Sequence, residues 1–328
     1  MRRILLPACA IAFLVSSNAL TQTIIAKIAL GSGLNPNTIA VNSTTNKAYA
    51  VSSTNATVSV IDGATNTHLT DISLGTDFPV AIAVNRKTNR IYVANEGGSQ
   101  TLVSVIDGST DTLLENVSGF VTPLGVAVNI ATNRIYVTNS DGSVGVIDGA
   151  TDTLVTTIPS AFSFPAGAIG SAVNPRTNLV YVGGLFAQYE VIDGSTNTVL
   201  STFNLPNSVT VAGVAVDPNL NRLYVVDQNT YVLYVIDATS NQIITTVAGG
   251  FSSPHYVCVN PQNHVLALEN TGGNDIVFIN GQTDQIMSVV RTATQPGDVD
   301  VDTLTGHFFV TYTSTGKVVV ISTKEKSR

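Results

Sequence analysis

Asp298, Asp300 and Asp302 alternate through "GDVDVD" at 297–302, so an extended backbone sends three carboxylates to one side of a strand. About one repeat unit earlier, His255 and Tyr256 stand in "PHYVCVN" and Glu269 follows in "ALEN". An imidazole, a phenol and carboxylates gathered in one cleft could hold a small polar ligand or a cation, or move a proton. Buried carboxylates need partners. The plainer reading of Asp298 and Asp300 is therefore a pair of hydrogen-bonded acids in a solvated channel. No motif selects a reaction. The four His have no zinc spacing, and the chain has no G-x-S-x-G turn or phosphate loop. "SDGSVGVIDGATD" lacks the spacing of a calcium loop. No catalytic residue and no cofactor are assigned, and any metal ligand stays unknown.

What gathers such residues is a repeat. Asp62, Asp107, Asp148, Asp193 and Asp237, then Asn280 and Ser322, hold one register at intervals of about 43 residues. One unit reads "GVAVN", "RIYVTN", "VGVIDG" and "LVTTI", four short apolar runs split by turn formers. The pattern predicts an all-β, seven-bladed β-propeller of four-stranded antiparallel blades. The last unit ends without a fourth strand, while "TQTIIAKIAL" at 21–30 parallels "TDTLVTTIPS" at 151–160. The N-terminal strand is therefore expected to complete the last blade and close the ring.

The register also sorts structural from functional repeats. Asp followed by Gly at a strand end makes a side-chain-to-backbone turn bond. Lys47, Arg90, Arg134, Leu179, Arg222, His264 and His307 open the second strands. Antiparallel pairing should set Lys47 against Asp62, Arg90 against Asp107, Arg134 against Asp148 and Arg222 against Asp237, neutralising the basic ring. Tyr49, Tyr92, Tyr136, Tyr181 and Tyr224 read as packing between blades.

Innermost strands should carry small residues where blades converge, as Ala81, Ala83, Gly125, Ala127, Gly170, Ala172, Gly213 and Ala215 do. Units six and seven depart with Tyr256, Cys258, Asp298 and Asp300, and His255 lies just ahead of its strand. A candidate ligand site of His255, Tyr256, Asp298, Asp300 and Glu269 follows at the channel mouth. The loops on that face joining fourth to first and second to third strands carry Phe78, Phe120, Phe162, Phe164, Phe186 and Phe251. Exposed, they would suit a protein or peptide partner. The alternative is a set of buried loop anchors.

"IYVTN" at 135–139, "AVNPRTNLVYV" at 172–182 and "VIDGSTNTV" at 191–199 resemble the YVTN β-propeller repeat family, YncE-like proteins included. The resemblance covers the chain after its first 19 residues and loosens at "HVLALEN" and "HFFVTYT". It implies an exported propeller of the WD40-like superfamily, with cell-surface association or single-stranded DNA binding among its members. Related seven-bladed folds include lactonases and antibiotic lyases, so an enzyme at the channel mouth is the first alternative to a binding module.

Residues 1–19 read as a signal peptide: Arg2 and Arg3, an apolar run from Ile4 to Val15, and a small-residue site at Ser17-Asn18-Ala19. A run of about 12 residues is too short to span a bilayer. "LPAC" at 6–9 precedes the end of that run, against lipidation. Residues 20–328 form the single propeller domain, periplasmic or secreted to the cell surface, with no transmembrane segment and expected as a monomer. Its one cysteine, Cys258, reads as a small buried hydrophobe. The formal charge of −7 becomes −9 once Arg2 and Arg3 are gone, so nucleic acid is a disfavoured partner. The expected function is a non-catalytic binding or scaffold module.

Overall fold

The computed structural model describes residues 20–31, 33–75, 78–97, 101–159, 162, 168–206 and 210–325. The proposed signal peptide lies outside them. Within them, 28 strands form seven four-stranded antiparallel sheets, with three single-turn 3-10 helices as the only helical elements. No helix among the described residues is long and apolar enough to cross a membrane. Blades 1 to 6 use consecutive strands and begin at Pro36, Pro79, Pro123, Ala168, Val211 and Pro254. Blade 7 takes its inner three strands from Val299–Asp302, His307–Tyr312 and Lys317–Glu325, and its outer strand from Leu20–Ala29. The N-terminal strand thus closes the ring, in the register Leu20↔Glu325 to Ala29↔Lys317.

Each blade buries both faces, which is why the middle strands are apolar at successive positions. Tyr49, Tyr92, Tyr136, Tyr181 and Tyr224 are fully buried in these interfaces. Their hydroxyls reach the next blade: Tyr92 donates to Asp152 Oδ1 (2.8 Å) and Tyr181 to the Ala238 carbonyl (3.2 Å). The outer strands are bulged at one repeated place, which pushes Ile25, Leu69, Leu114, Val155, Leu200 and Ile244 outward. Such bulges twist an exposed edge away from strand addition.

A second repeated contact was not foreseen in the sequence. The last residue of a first strand reaches the turn residue just before the second strand of the next blade. Asn42 Nδ2 donates to Asn89 Oδ1 (2.7 Å), Asn85 to Asn133 (2.6 Å), Asn129 to Asn178 (2.7 Å) and Asn174 to Asn221 (3.2 Å). Between blades 5 and 6 the pair is Asp217 with His264 Nδ1 (2.7 Å). Asn46 donates to Asp302 Oδ2 (3.0 Å) across the closure. In blade 7 the corresponding turn position, next in the ring after Asn260, is Gly306 with φ 73°. The receiving residues adopt φ of 53–59° where asparagine is tolerated, from Asn46 to His264. His264 therefore occupies this turn position, not the strand start assigned from sequence; Val265 is the residue opposite Asn280.

Asn133→Ala should remove one such bond and force alanine into the left-handed region, at a cost of about 2 kcal/mol. Asn133→Gly keeps the backbone relaxed and should lose about half as much. Thermal or urea unfolding of the two variants checks the difference, and equal losses would contradict the ladder's role.

Candidate functional site at the channel and loop face

The innermost strands surround a central channel of about 440 Å³. Small residues recur there because neighbouring inner strands nearly touch. A Cβ on Gly170 would lie 3.1 Å from the Ala212 carbonyl, and one on Gly213 would strike the His255 carbonyl. At the junctions of blades 6, 7 and 1 these positions are filled by Tyr256, Cys258, Asp298 and Asp300. The channel wall includes all four, but neither His255 nor Glu269.

Asp298 and Asp300 reach from blade 7 onto the inner edge of blade 1. Asp298 Oδ2 accepts hydrogen bonds from Thr38 Oγ1 (2.7 Å) and the Ile39 N–H (3.1 Å), and Oδ1 from the Val299 N–H (2.7 Å). Asp300 Oδ2 accepts from the Val41 N–H (2.7 Å) and Oδ1 from the Val301 N–H (2.8 Å). A strand edge that turns its donors inward must find acceptors, and here two carboxylates supply them. Burial pushes Asp298 up to about 6 against the pull of these donors. It pushes Asp300 up to about 7, with Asp298 adding repulsion and Arg86 opposing it. Every carboxylate oxygen faces an N–H or O–H donor, an arrangement that satisfies an anion without a cation. Among the described residues, no group of three or more His, Cys, Asp or Glu is placed to hold a metal. Asp302 instead caps its own turn through the Leu304 N–H (2.9 Å).

Glu269 is fully buried on the second strand of blade 6, Val265–Asn270. It faces a bulge in the first strand that sets His255 and Tyr256 opposite it. Thr271 Oγ1 donates to Glu269 Oε1 at 2.5 Å. Burial nevertheless pushes the acid up to about 8, against the pull of Thr271 and the Tyr256 and His255 N–H groups. His255 lies within the strand, not ahead of it, with its ring edge-on to Tyr256 at 5.8 Å. Burial lowers its pKa and keeps the imidazole neutral at pH 7. Burial, then the charges of Asp298 and Glu269, raises the Tyr256 phenol far above its ordinary value. Burial likewise raises the Cys258 thiol, which leaves little reactive thiolate. The fold therefore brings Tyr256 near Asp298 and Glu269, while His255 and Glu269 sit behind the channel wall.

The acidic ring at the strand-three ends is structural. Asp62, Asp107, Asp148, Asp193 and Asp237 each accept the N–H two residues on, at 2.7–2.9 Å. These turn donors hold their pKa values down, that of Asp107 to about 2, chiefly through Ser109. The expected cross-strand register is present throughout. Two of the four expected ion pairs form, Arg90–Asp107 (2.8 Å) and Arg134–Asp148 (2.6 Å). The other two are corrected. Lys47 pairs with Asp111 (2.6 Å) and Arg222 with Asp284 (2.9 Å), both on the following blade. Asp111 and Asp284 lie at less exposed sites, where a charge gains more from a partner.

The loop face also differs from expectation. Phe120, Phe162 and Phe251 are buried, and so belong to the core and not to an exposed rim. Phe120 covers Gly145 and Phe162 covers Gly184, where any Cβ would clash with the ring. Phe164 lies outside the described residues. Phe78 and Phe186 are exposed at 57% and 54%. Two residues overlooked in the sequence join them: Val121 at 50% and Tyr231 at 46%. These four supply one apolar side chain to each of blades 2 to 5.

A scan of known protein families finds no match, and comparison with curated proteins finds none either. Among solved structures, hydrazine synthase from Kuenenia stuttgartiensis is similar, with a TM-score of 0.80 at 15% identity over 90% of this chain and 98% of that one. At that identity the likeness concerns the propeller fold alone.

Proposed function

We propose that this chain is an exported, non-catalytic propeller that engages a protein or peptide partner through the loop face of blades 2 to 5. The observation that carries the reading is the backbone beneath the exposed aromatics. Phe78, Phe186 and Tyr231 have φ of 52°, 68° and 58°, a region costing a bulky residue about 1–2 kcal/mol. The other blades act as an internal control. Where Tyr231 closes its loop, the equivalents are Ala56, Gly142, Ala187, Asn274 and Gly316, all with positive φ. Ahead of the first-strand proline, the counterparts of Phe78 are Thr122 and Ser253. Phe186 and Ala187 are consecutive left-handed residues, a geometry that favours Asn and Gly. Large side chains at strained and exposed positions contribute little to the core, which supports a role in presentation.

The test is the triple variant Phe78→Gly, Phe186→Gly, Tyr231→Gly. Its melting temperature should equal or exceed that of the parent, because strain is relieved and little packing is lost. A fall of several degrees would identify the aromatics as loop anchors and overturn the reading. Export is supported by the composition of residues 1–19, and a YVTN-type, YncE-like assignment by the repeated motifs alone. The lyase or lactonase alternative needs His255 and the acids in one pocket. With His255 and Glu269 outside the channel wall, it has less to rest on.

A further inference from the structure

We infer that the partner segment is basic as well as apolar: a polypeptide stretch whose hydrophobic side chains are flanked by Lys or Arg. This rests on the loop-face reading above and adds the chemistry of what binds there. The loops joining fourth to first and second to third strands contain no Lys or Arg anywhere in the ring. Among the described residues their acids are Glu96 and Asp141, apart from the buried Asp298, and both belong to blades 2 and 3. The opposite face has Arg86, Lys87 and Arg176 in its loops and Lys47, Arg90, Arg134 and Arg222 at its strand starts. The loop bases are thus confined to the opposite face, where Lys47, Arg90, Arg134 and Arg222 pair with acids of that face. Among the described residues, the acids of the loop face have no base beside them. Arg291 and Lys317 are the nearest bases, at strand ends on blades 6 and 7.

The acids also sit beside the apolar tips. The exposed Glu96 donates its backbone N–H to the Phe78 carbonyl at 2.9 Å. Ser140 donates its N–H to the Val121 carbonyl at 3.1 Å, and the exposed Asp141 follows it. Each tip on blades 2 and 3 therefore pairs a hydrophobic side chain with a carboxylate free of any basic partner among the described residues. An apolar anchor with adjacent positive charge complements that pairing, whereas an acidic segment or a polyanion is repelled. Phe186 and Tyr231 extend the apolar contact across blades 4 and 5, so the segment spans neighbouring blades rather than entering the channel.

The protein has no Trp, so the fluorescence of a Trp-bearing peptide reports binding directly. The probes are two peptides sharing a Trp-Leu-Phe centre, one flanked by Lys and Arg, the other by Glu. The basic peptide should bind at least tenfold more tightly at low salt and lose most of that advantage as salt rises. Glu96→Gln with Asp141→Asn, which keeps an acceptor for the Ser143 N–H and hydroxyl, should remove most of the discrimination at unchanged melting temperature. Equal binding of both peptides, preference for the acidic one, or binding of neither would overturn the inference. The glycine variants judge the underlying reading separately: they keep or raise the melting temperature if the tips are presented, whatever the preferred charge.

Discussion

Deleting residues 20–30 lowers the melting temperature by about 10 °C or more and leaves a form that self-associates. The strand Leu20–Ala29 pairs with Lys317–Glu325 at nine positions, and the Leu30 N–H continues the contact to the Gly316 carbonyl at 2.9 Å. Its apolar residues serve two interfaces at once. Ile28 and Leu30 pack with Ile39, Ala48, Phe309 and Val318 between blades 7 and 1. Ile24 packs against the cluster of Phe278, Phe308 and Ile321 between blades 6 and 7. Each fully buried aliphatic side chain contributes roughly 1.5–3 kcal/mol, so losing three or four removes a large share of a domain's stability. The deletion also bares the edge of Lys317–Glu325, a ready template for another chain. Calorimetry and size-exclusion chromatography test both effects. A truncated form that melts with the parent and elutes at the same volume would refute closure by this strand.

Replacing both channel acids gives the second large effect, and its sign depends on pH. Asp298 and Asp300 are raised by burial to about 6 and about 7, above the ordinary aspartate value. A folded-state pKa above the unfolded one means that the native state binds more protons. The stabilisation from these groups is complete below about pH 4 and is lost as pH rises through 6 and 7. Asp298→Asn with Asp300→Asn mimics the protonated pair and cannot ionise. The parent should therefore melt close to this variant at pH 5 and fall below it by pH 8. A parent-minus-variant difference that grows with pH would show the carboxylates to be ionised at low pH by their backbone donors.

Asp298→Ala with Asp300→Ala separates hydrogen bonding from charge. It leaves the Ile39 and Val41 N–H groups and Thr38 Oγ1 without their acceptors, at roughly 1–3 kcal/mol for each unmet group. Its melting temperature should drop at every pH, and calcium should stabilise neither it nor the parent. A parent stabilised by calcium, with the effect gone in the variant, would instead place a cation between the two carboxylates.

The blade count, the four-strand unit and the closing strand were legible because they are periodic along the chain. Alternating side chains, turn formers at fixed offsets and a repeating Asp that binds its own turn N–H are interactions within a few residues. Linear order specifies them. The tyrosines were readable for the same reason, since one large residue per unit at a mid-strand position has only the next blade to pack against. The predicted strand register held even at Arg222, which does lie opposite Asp237. Its guanidinium nevertheless chose Asp284.

That choice marks what only the tertiary structure decided. The ladder from Asn42 to Asn221, the seating of Phe120 and Phe162 over glycines, and the grip of Asp298 and Asp300 on blade 1 all cross between blades. Composition identified the acids of "GDVDVD" but could not say whether their oxygens met a cation, water or backbone N–H groups. A side chain pairs with the least solvated complementary group within reach, and which groups are desolvated is fixed only once the ring is closed. Local periodicity therefore determined the architecture, and burial at the junctions of blades 6, 7 and 1 determined the chemistry of the channel.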